Sequence, residues 1–193
     1  MRRMKALLNK TSDAWVEAVL GDFNAFLLDH AACERKASAM AMTFIVRYPD
    51  RDAIHEPMIR LAKEELSHFH EVFRLIKKRG LRFRKDSKDS YVNGLLRHVR
   101  QGRDIEFLDR LVMAGVVEAR GHERFDRLAQ ALPPGELHDF YHAIAQSEAR
   151  HAHLFPDLAK LYFDEVTVAG RWDDFLSYEA ELIAQLPAQP ALH

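Results

Sequence analysis

Apolar residues recur at intervals of three and four along most of the chain, the period of helices that each bury one stripe. After a short basic lead, Thr11-Ser12-Asp13 reads as a helix start, and Trp15, Val16, Val19 and Leu20 form a short apolar face before Gly21. A second helix is expected from about Asp22 to Arg47, with Leu27, His30, Glu34, Ala37, Ala41 and Ile45 on its stripe and Tyr48-Pro49-Asp50 as its stop. A third runs from Asp52 to about Arg79, with Met58, Leu61, Glu65, His68, Val72 and Leu75 in register; Pro57 suits only its first turns and Gly80 ends it. Residues 80–103 are less regular, a basic connector followed by a short helix around Tyr91–Arg100. A fourth long helix covers about Asp104–Ala131, carrying Leu108, Leu111, Gly115, Glu118, His122 and Phe125, and Pro133-Pro134-Gly135 closes it. A fifth begins near Glu136, with Tyr141, Ile144, Glu148, His151 and Phe155 on one side; Pro156 is expected to kink it or end its first part. A last helix is expected over about Arg171–Leu186, followed by a Pro-containing tail expected to be loosely held.

No stretch shows the two-residue alternation of a strand, so the expected class is all-α. Four long helices, with a long connection between the second and third of them, match the single crossover of a ferritin-like four-helix bundle with extra short terminal helices. The 193 residues, 48% hydrophobic and 30% charged, suit one compact domain spanning 1–193. With 28 Lys and Arg against 29 Asp and Glu the net charge is −1, so the total points to no polyanionic partner. The lone cysteine, Cys33, excludes an internal disulfide framework and any four-cysteine zinc or rubredoxin-like site within one chain, and fits a reducing, cytoplasmic setting. The N-terminal residues lack an apolar run of signal-peptide length, and no run reaches the roughly 18 apolar residues that span a bilayer; neither export nor membrane insertion is expected.

Charge inside the stripes changes the picture. LAKEELSHFH (61–70) and AQSEARHAHLF (145–155) each contain Glu-x-x-His, as Glu65/His68 and Glu148/His151. Residues three apart on a helix point about 60° from each other, so each pair presents a carboxylate and an imidazole to one point. Glu34 precedes Glu65 by 31 residues and Glu118 precedes Glu148 by 30, which suggests a duplicated helix pair. One glutamate from each of two helices and Glu-x-x-His from each of the other two is the ligand recipe of di-iron and di-manganese carboxylate bundles. A single Glu-x-x-His is commonest on a solvated surface; here the alternative requires four glutamates and two histidines to lie uncompensated among Leu, Met, Val, Ile and Phe, at several kcal/mol each. The expected metal ligands are therefore Glu34, Glu65, His68, Glu118, Glu148 and His151. Glu64, His70 and His153 fall off these faces, and His122-Glu123-x-x-Asp126 lacks the second histidine of a zinc-protease motif. His30, His122 and Tyr141 are expected as packed, hydrogen-bonded core residues.

Two further features bear on chemistry. Ala31, Ala32, Ala37, Ser38, Ala39 and Ala41 surround Glu34, and Ala114, Gly115, Ala119 and Gly121 surround Glu118. Small residues most often serve close helix packing, but here they also suit room for O2 and an apolar substrate. The connector KKRGLRFRKDSK (77–88) sets Lys77, Lys78, Arg79, Arg82, Arg84, Lys85 and Lys88 against one acid, Asp86. Such runs are usually solvated loops; interrupted by Gly80, Leu81 and Phe83, this one also fits phosphate contact beside a stacking group, hence a substrate borne on nucleic acid.

The runs LLDHAACERKASAMAM (27–42), LAKEELSHF (61–69), DRLVMAGVVEARGHERF (109–125), FYHAIAQSEARHAHLF (140–155) and LPAQPALH (186–193) resemble the MiaE-type tRNA hydroxylases of the ferritin-like superfamily. The resemblance covers nearly the whole chain. It implies a monooxygenase that hydroxylates the isopentenyl group of 2-methylthio-N6-isopentenyladenosine next to the anticodon, with two Fe ions in a non-haem di-iron centre and O2 as co-substrate. Position by position it places the iron ligands on the same six residues and gives His122 no role. No stretch reads as a reductase domain, so an external electron donor is implied, acting on a monomer or small homo-oligomer. The competing expectations are a ferritin-like iron store, a rubrerythrin-like peroxidase, disfavoured by the single cysteine, and a metal-free helical RNA-binding protein.

Overall fold

The computed structural model describes residues 5–193 apart from 84 and 87. Among the described residues seven helices follow one another, α1 (Asp13–Gly21), α2 (Phe23–Arg47), α3 (Asp52–Lys78), α4 (Ser90–Leu96), α5 (Arg103–Ala131), α6 (Glu136–Lys160) and α7 (Glu165–Gln185), and no strand occurs. Helix ends carry the expected chemistry. The Asp22 carboxylate accepts from the Ala25 N–H at the head of α2, and Asp89 and Asp164 do the same for Val92 and Thr167 at the heads of α4 and α7. Gly80, at φ 68°, ends α3: its N–H donates to the Lys77 carbonyl and that of Leu81 to the Ile76 carbonyl, a left-handed cap that turns the chain back sharply.

The chain falls into two compact units. One comprises Glu17–Lys88 with Ala188–Leu192, and the other the chain up to Val16, Asp89–Pro187 and His193. In the first, α2 packs along α3, with Leu27, Ala31, Phe44, Met58, Leu61 and Val72 in its core, and Ser38 donates to the Ala62 carbonyl across the pair. In the second, α5 packs along α6 and against α7, and α4 rests on α7. Gly115 marks a close approach of α5 to α6 and α7. A Cβ at that position would lie 2.9 Å from the Trp172 ring, 3.2 Å from Pro156 and 3.3 Å from the Ala152 carbonyl, the carbonyl that Pro156 deprives of a helical donor.

Two expectations change and one narrows. Of a kink or an end at Pro156, the end does not occur: α6 continues to Lys160, its loss of one hydrogen bond offset by packing against α5 and α7. Helix α7 begins six residues before Arg171, because Asp164 caps it and Gly170 is carried inside the helix. The C-terminal tail is anchored rather than loose: Leu192 is buried and its N–H donates to the Asp29 carboxylate at 2.7 Å, while in the other unit His193 stacks on Tyr91 with ring centroids 4.9 Å apart. Among the described residues no helix is long and apolar enough to cross a membrane.

Candidate metal centre

In the α2–α3 unit, Glu34, Glu65 and His68 converge. The buried stripe of α2 delivers Glu34 from mid-helix, and the three-residue spacing on α3 turns Glu65 and His68 toward it, so that one ligand atom of each lies within 4.8 Å of the others. His68 Nδ1 stands 3.4 Å from Glu65 Oε2 and 3.7 Å from Glu34 Oε2. Burial opposes charge on His68, yet hydrogen bonding and negative charge from Glu34 and Glu65 outweigh it and raise its pKa to about 10. The two carboxylates thus create a strong demand for positive charge at this point. On the far side of Glu34, the wholly buried His30 places Nε2 2.6 Å from Oε1.

The α5–α6 unit repeats the arrangement. Glu118 from α5 meets Glu148 and His151 from α6 with ligand atoms again within 4.8 Å of one another. His151 Nδ1 lies 3.4 Å from Glu148 Oε2, the same separation as in the His68–Glu65 pair. His122, one turn beyond Glu118, is half-buried and donates from Nδ1 to the Ala145 carbonyl at 2.8 Å, hydrogen-bonded as expected but not wholly in the core, whereas Tyr141 is fully buried against Phe125, the core tyrosine expected.

The donor set tests what these triads can hold. All six side chains are buried, with Glu34 3%, Glu65 1%, Glu118 6% and Glu148 3% exposed, a placement that costs ionised carboxylates several kcal/mol without a compensating cation. Two carboxylates and one imidazole in each triad, with no thiolate, suit iron or manganese rather than soft metals. The lookalikes lie elsewhere: His70 and His153 are exposed and Glu64 is half-buried. Of the small residues, Ala31, Ala32 and Ala41 are buried near Glu34, whereas the size of Gly115 is set by Trp172 and Pro156.

The basic connector divides by role. Lys77, Lys78, Arg82, Lys85 and Lys88 are exposed. Arg79 donates to Asn24 Oδ1 at 3.1 Å and lies 5.0 Å over the Phe23 ring, and Arg84 lies outside the described residues. Asp86 is held by Arg35, with Lys36 Nζ at 4.0 Å. Sequence reasoning missed a group of buried ions in the α5–α6 unit. Arg120, wholly buried, donates to both oxygens of Glu179 (2.8 and 3.1 Å), to Glu123 (3.0 Å) and to the Asn9 carbonyl (2.8 Å). A faint signal existed, since Glu179 continues the Trp172, Phe175, Leu176 stripe at a spacing of three.

A family model described as tRNA-(MS[2]IO[6]A)-hydroxylase (MiaE) matches residues 1–193. The chain belongs to this family. A tRNA 2-(methylsulfanyl)-N(6)-isopentenyladenosine(37) hydroxylase of Pseudomonas putida is 41% identical over 179 residues, 93% of this chain and 86% of that one. The Salmonella typhimurium protein of the same description is 28% identical over a 222-residue alignment, 90% and 82% of the two chains. Among solved structures, protein 43 with aldehyde deformylating oxygenase activity from Synechococcus superposes with a TM-score of 0.93 at 33% identity, covering 98% of this chain and 96% of that one. The fold is ferritin-like, and family membership makes the chain an enzyme, a tRNA hydroxylase.

Proposed function

We propose that the triads Glu34/Glu65/His68 and Glu118/Glu148/His151 together hold two iron ions, and that the enzyme uses them with O2 to hydroxylate the isopentenyl group of 2-methylthio-N6-isopentenyladenosine beside the anticodon of tRNA. One observation carries the reading: the same buried set of two glutamates and a histidine occurs in both units, with the same 3.4 Å histidine–carboxylate separation. It matches the di-metal carboxylate recipe of helical bundles, and family membership favours hydroxylation over iron storage or peroxide reduction.

Bound iron would supply the reduction of O2, one oxygen atom entering a C–H bond and the other leaving as water, with two electrons from an external donor. The chain's own residues supply the setting. The four glutamates offset the metal charge, and His68 and His151 complete the donor set. His30 holds Oε1 of Glu34, which leaves Oε2 toward His68. Ala31, Ala32 and Ala41 keep α2 slim beside Glu34, where an apolar prenyl group needs room. Lys77, Lys78, Arg82, Lys85 and Lys88 provide phosphate contacts, with Arg79 committed to Asn24 and Phe23. The setting is a cytoplasmic protein working as one domain, alone or as a small homo-oligomer.

The deciding experiment is nucleoside analysis of substrate tRNA incubated with iron-reconstituted protein, reductant and O2. The expected result is one added oxygen atom on the prenylated adenosine, with about two iron per chain. In Glu65→Ala and Glu148→Ala, iron and product should both be lost. Consumption of O2 by the loaded protein without modified nucleoside would overturn the substrate assignment.

A further inference from the structure

Helix α3 carries a second stripe beside the one that delivers Glu65 and His68. Leu66, Phe69, Phe73 and Lys77 follow one another at spacings of three and four, and they face outward: Leu66 is 54% exposed and the two phenylalanines are only half-buried. The Gly80 cap reverses the chain and brings Phe83 back onto them. The Phe83 ring meets Phe69 edge-on at 5.8 Å and Phe73 tilted at 5.9 Å, while Phe69 and Phe73 stack at 6.1 Å. Phe83 nevertheless remains 40% exposed. The ion pair of Asp86 with Arg35, the residue after Glu34, fixes the connector a second time, three residues beyond Phe83.

Three aromatic rings and a leucine left facing solvent form a patch that a monomeric soluble surface seldom keeps without use. Its rim is cationic, with Lys77, Arg82, Lys85 and Lys88 exposed and the one acid of the 77–88 run neutralised by Arg35. Unstacked bases lie on aromatic rings while nearby cations take the phosphates, and that pairing of features is how single-stranded RNA loops are held. Position matters as well. Phe69 and Phe73 lie one and five residues beyond His68, about 1.5 and 7.5 Å along the helix axis, within a nucleotide's reach of a reacting group at that histidine.

We propose that Phe69, Phe73 and Phe83 form a base-stacking platform for an unpaired anticodon-loop nucleotide neighbouring the modified adenosine, with Lys77, Arg82 and Lys85 on its phosphates. The inference rests on the tRNA substrate proposed above and adds the surface that presents it. The platform lets the loop be opened and held by stacking while the prenyl group enters the apolar interior beside Glu34.

The test compares the parent with Phe83→Ala, Phe83→Leu and Phe83→Trp in binding to substrate tRNA and to its isolated anticodon stem-loop, with iron content and thermal unfolding measured on each. Alanine and leucine should each weaken binding about tenfold at fixed salt, with unchanged salt dependence, while tryptophan keeps the parent affinity. Equal affinity in all four proteins, when the parent hydroxylates tRNA, overturns the platform and leaves the substrate reading standing. Weakening by alanine but not leucine also overturns it, since packing alone then explains the ring. Unchanged RNA binding with slower reduction by the electron donor would assign the patch to a protein partner and overturn it too. A parent that neither binds nor modifies tRNA overturns both readings.

Discussion

His30 is the residue on which the geometry of Glu34 turns. Its imidazole is wholly buried and sits 2.6 Å from Glu34 Oε1, one turn earlier on the same helix. A carboxylate ligand whose second oxygen is fixed loses less rotamer freedom on binding metal, and removal of such a partner typically costs 10–100-fold in metal affinity. His30→Ala is therefore expected to lower iron affinity by about that factor, measured by titration of metal-free protein, with helix content unchanged by circular dichroism. His30→Gln, which restores a donor, should recover part of it. Parent-like affinity in the alanine variant would reduce His30 to packing.

Helix α5, which carries Glu118, is fastened by buried ions. Asp109 is wholly buried and accepts from the backbone N–H and guanidinium of Arg100 and from Nε and Nη2 of Arg171, at 2.8–3.1 Å. Burial raises the Asp109 pKa, but the two guanidiniums and the amide outweigh it and hold it below the ordinary carboxylate value. A group depressed in the folded state contributes stability that is complete above the unfolded pKa of about 3.9 and is lost as pH falls through the folded value. Asp109→Asn should thus be less stable than the parent by a constant amount above about pH 5, with the gap closing below about pH 4, as measured by urea unfolding across that range. These ties also show where the sequence stopped being legible. The stripes of α2, α3, α5 and α6 were readable because burial follows the 3.6-residue period, and their six metal-type ligands stood out as charge on apolar faces. Asp109 and Arg120 were not legible in this way, because their buried partners Arg171 and Glu179 lie 62 and 59 residues away and only folding makes those pairs. The early start of α7 was hidden by Gly170, which local propensity reads as a break and which packing overrides. Phe69 and Phe73 were visible as apolar residues off the core stripe, yet their meeting with Phe83 depends on the backbone reversal at Gly80.

At the scale of the whole molecule, a net charge of −1 hides an uneven distribution. Seven of the 28 basic residues fall within 77–88, against one acid that Arg35 neutralises. If this segment supplies the phosphate contacts, RNA affinity must depend steeply on salt even though the protein is almost neutral, because counterions are released locally where lysine and arginine replace them. Each phosphate contact contributes about 0.7–0.9 to the slope of log affinity against log salt. Replacement of Lys77, Arg82 and Lys85 by glutamine should reduce the slope by about 2 to 3 while leaving bound iron unchanged, since none of the three belongs to either triad. Equal replacement of three exposed cations outside the connector, Lys10, Arg60 and Lys63, should leave the slope near the parent value. Equal slopes for both triple variants would show that attraction arises from the molecule's diffuse field and that the connector holds no phosphate.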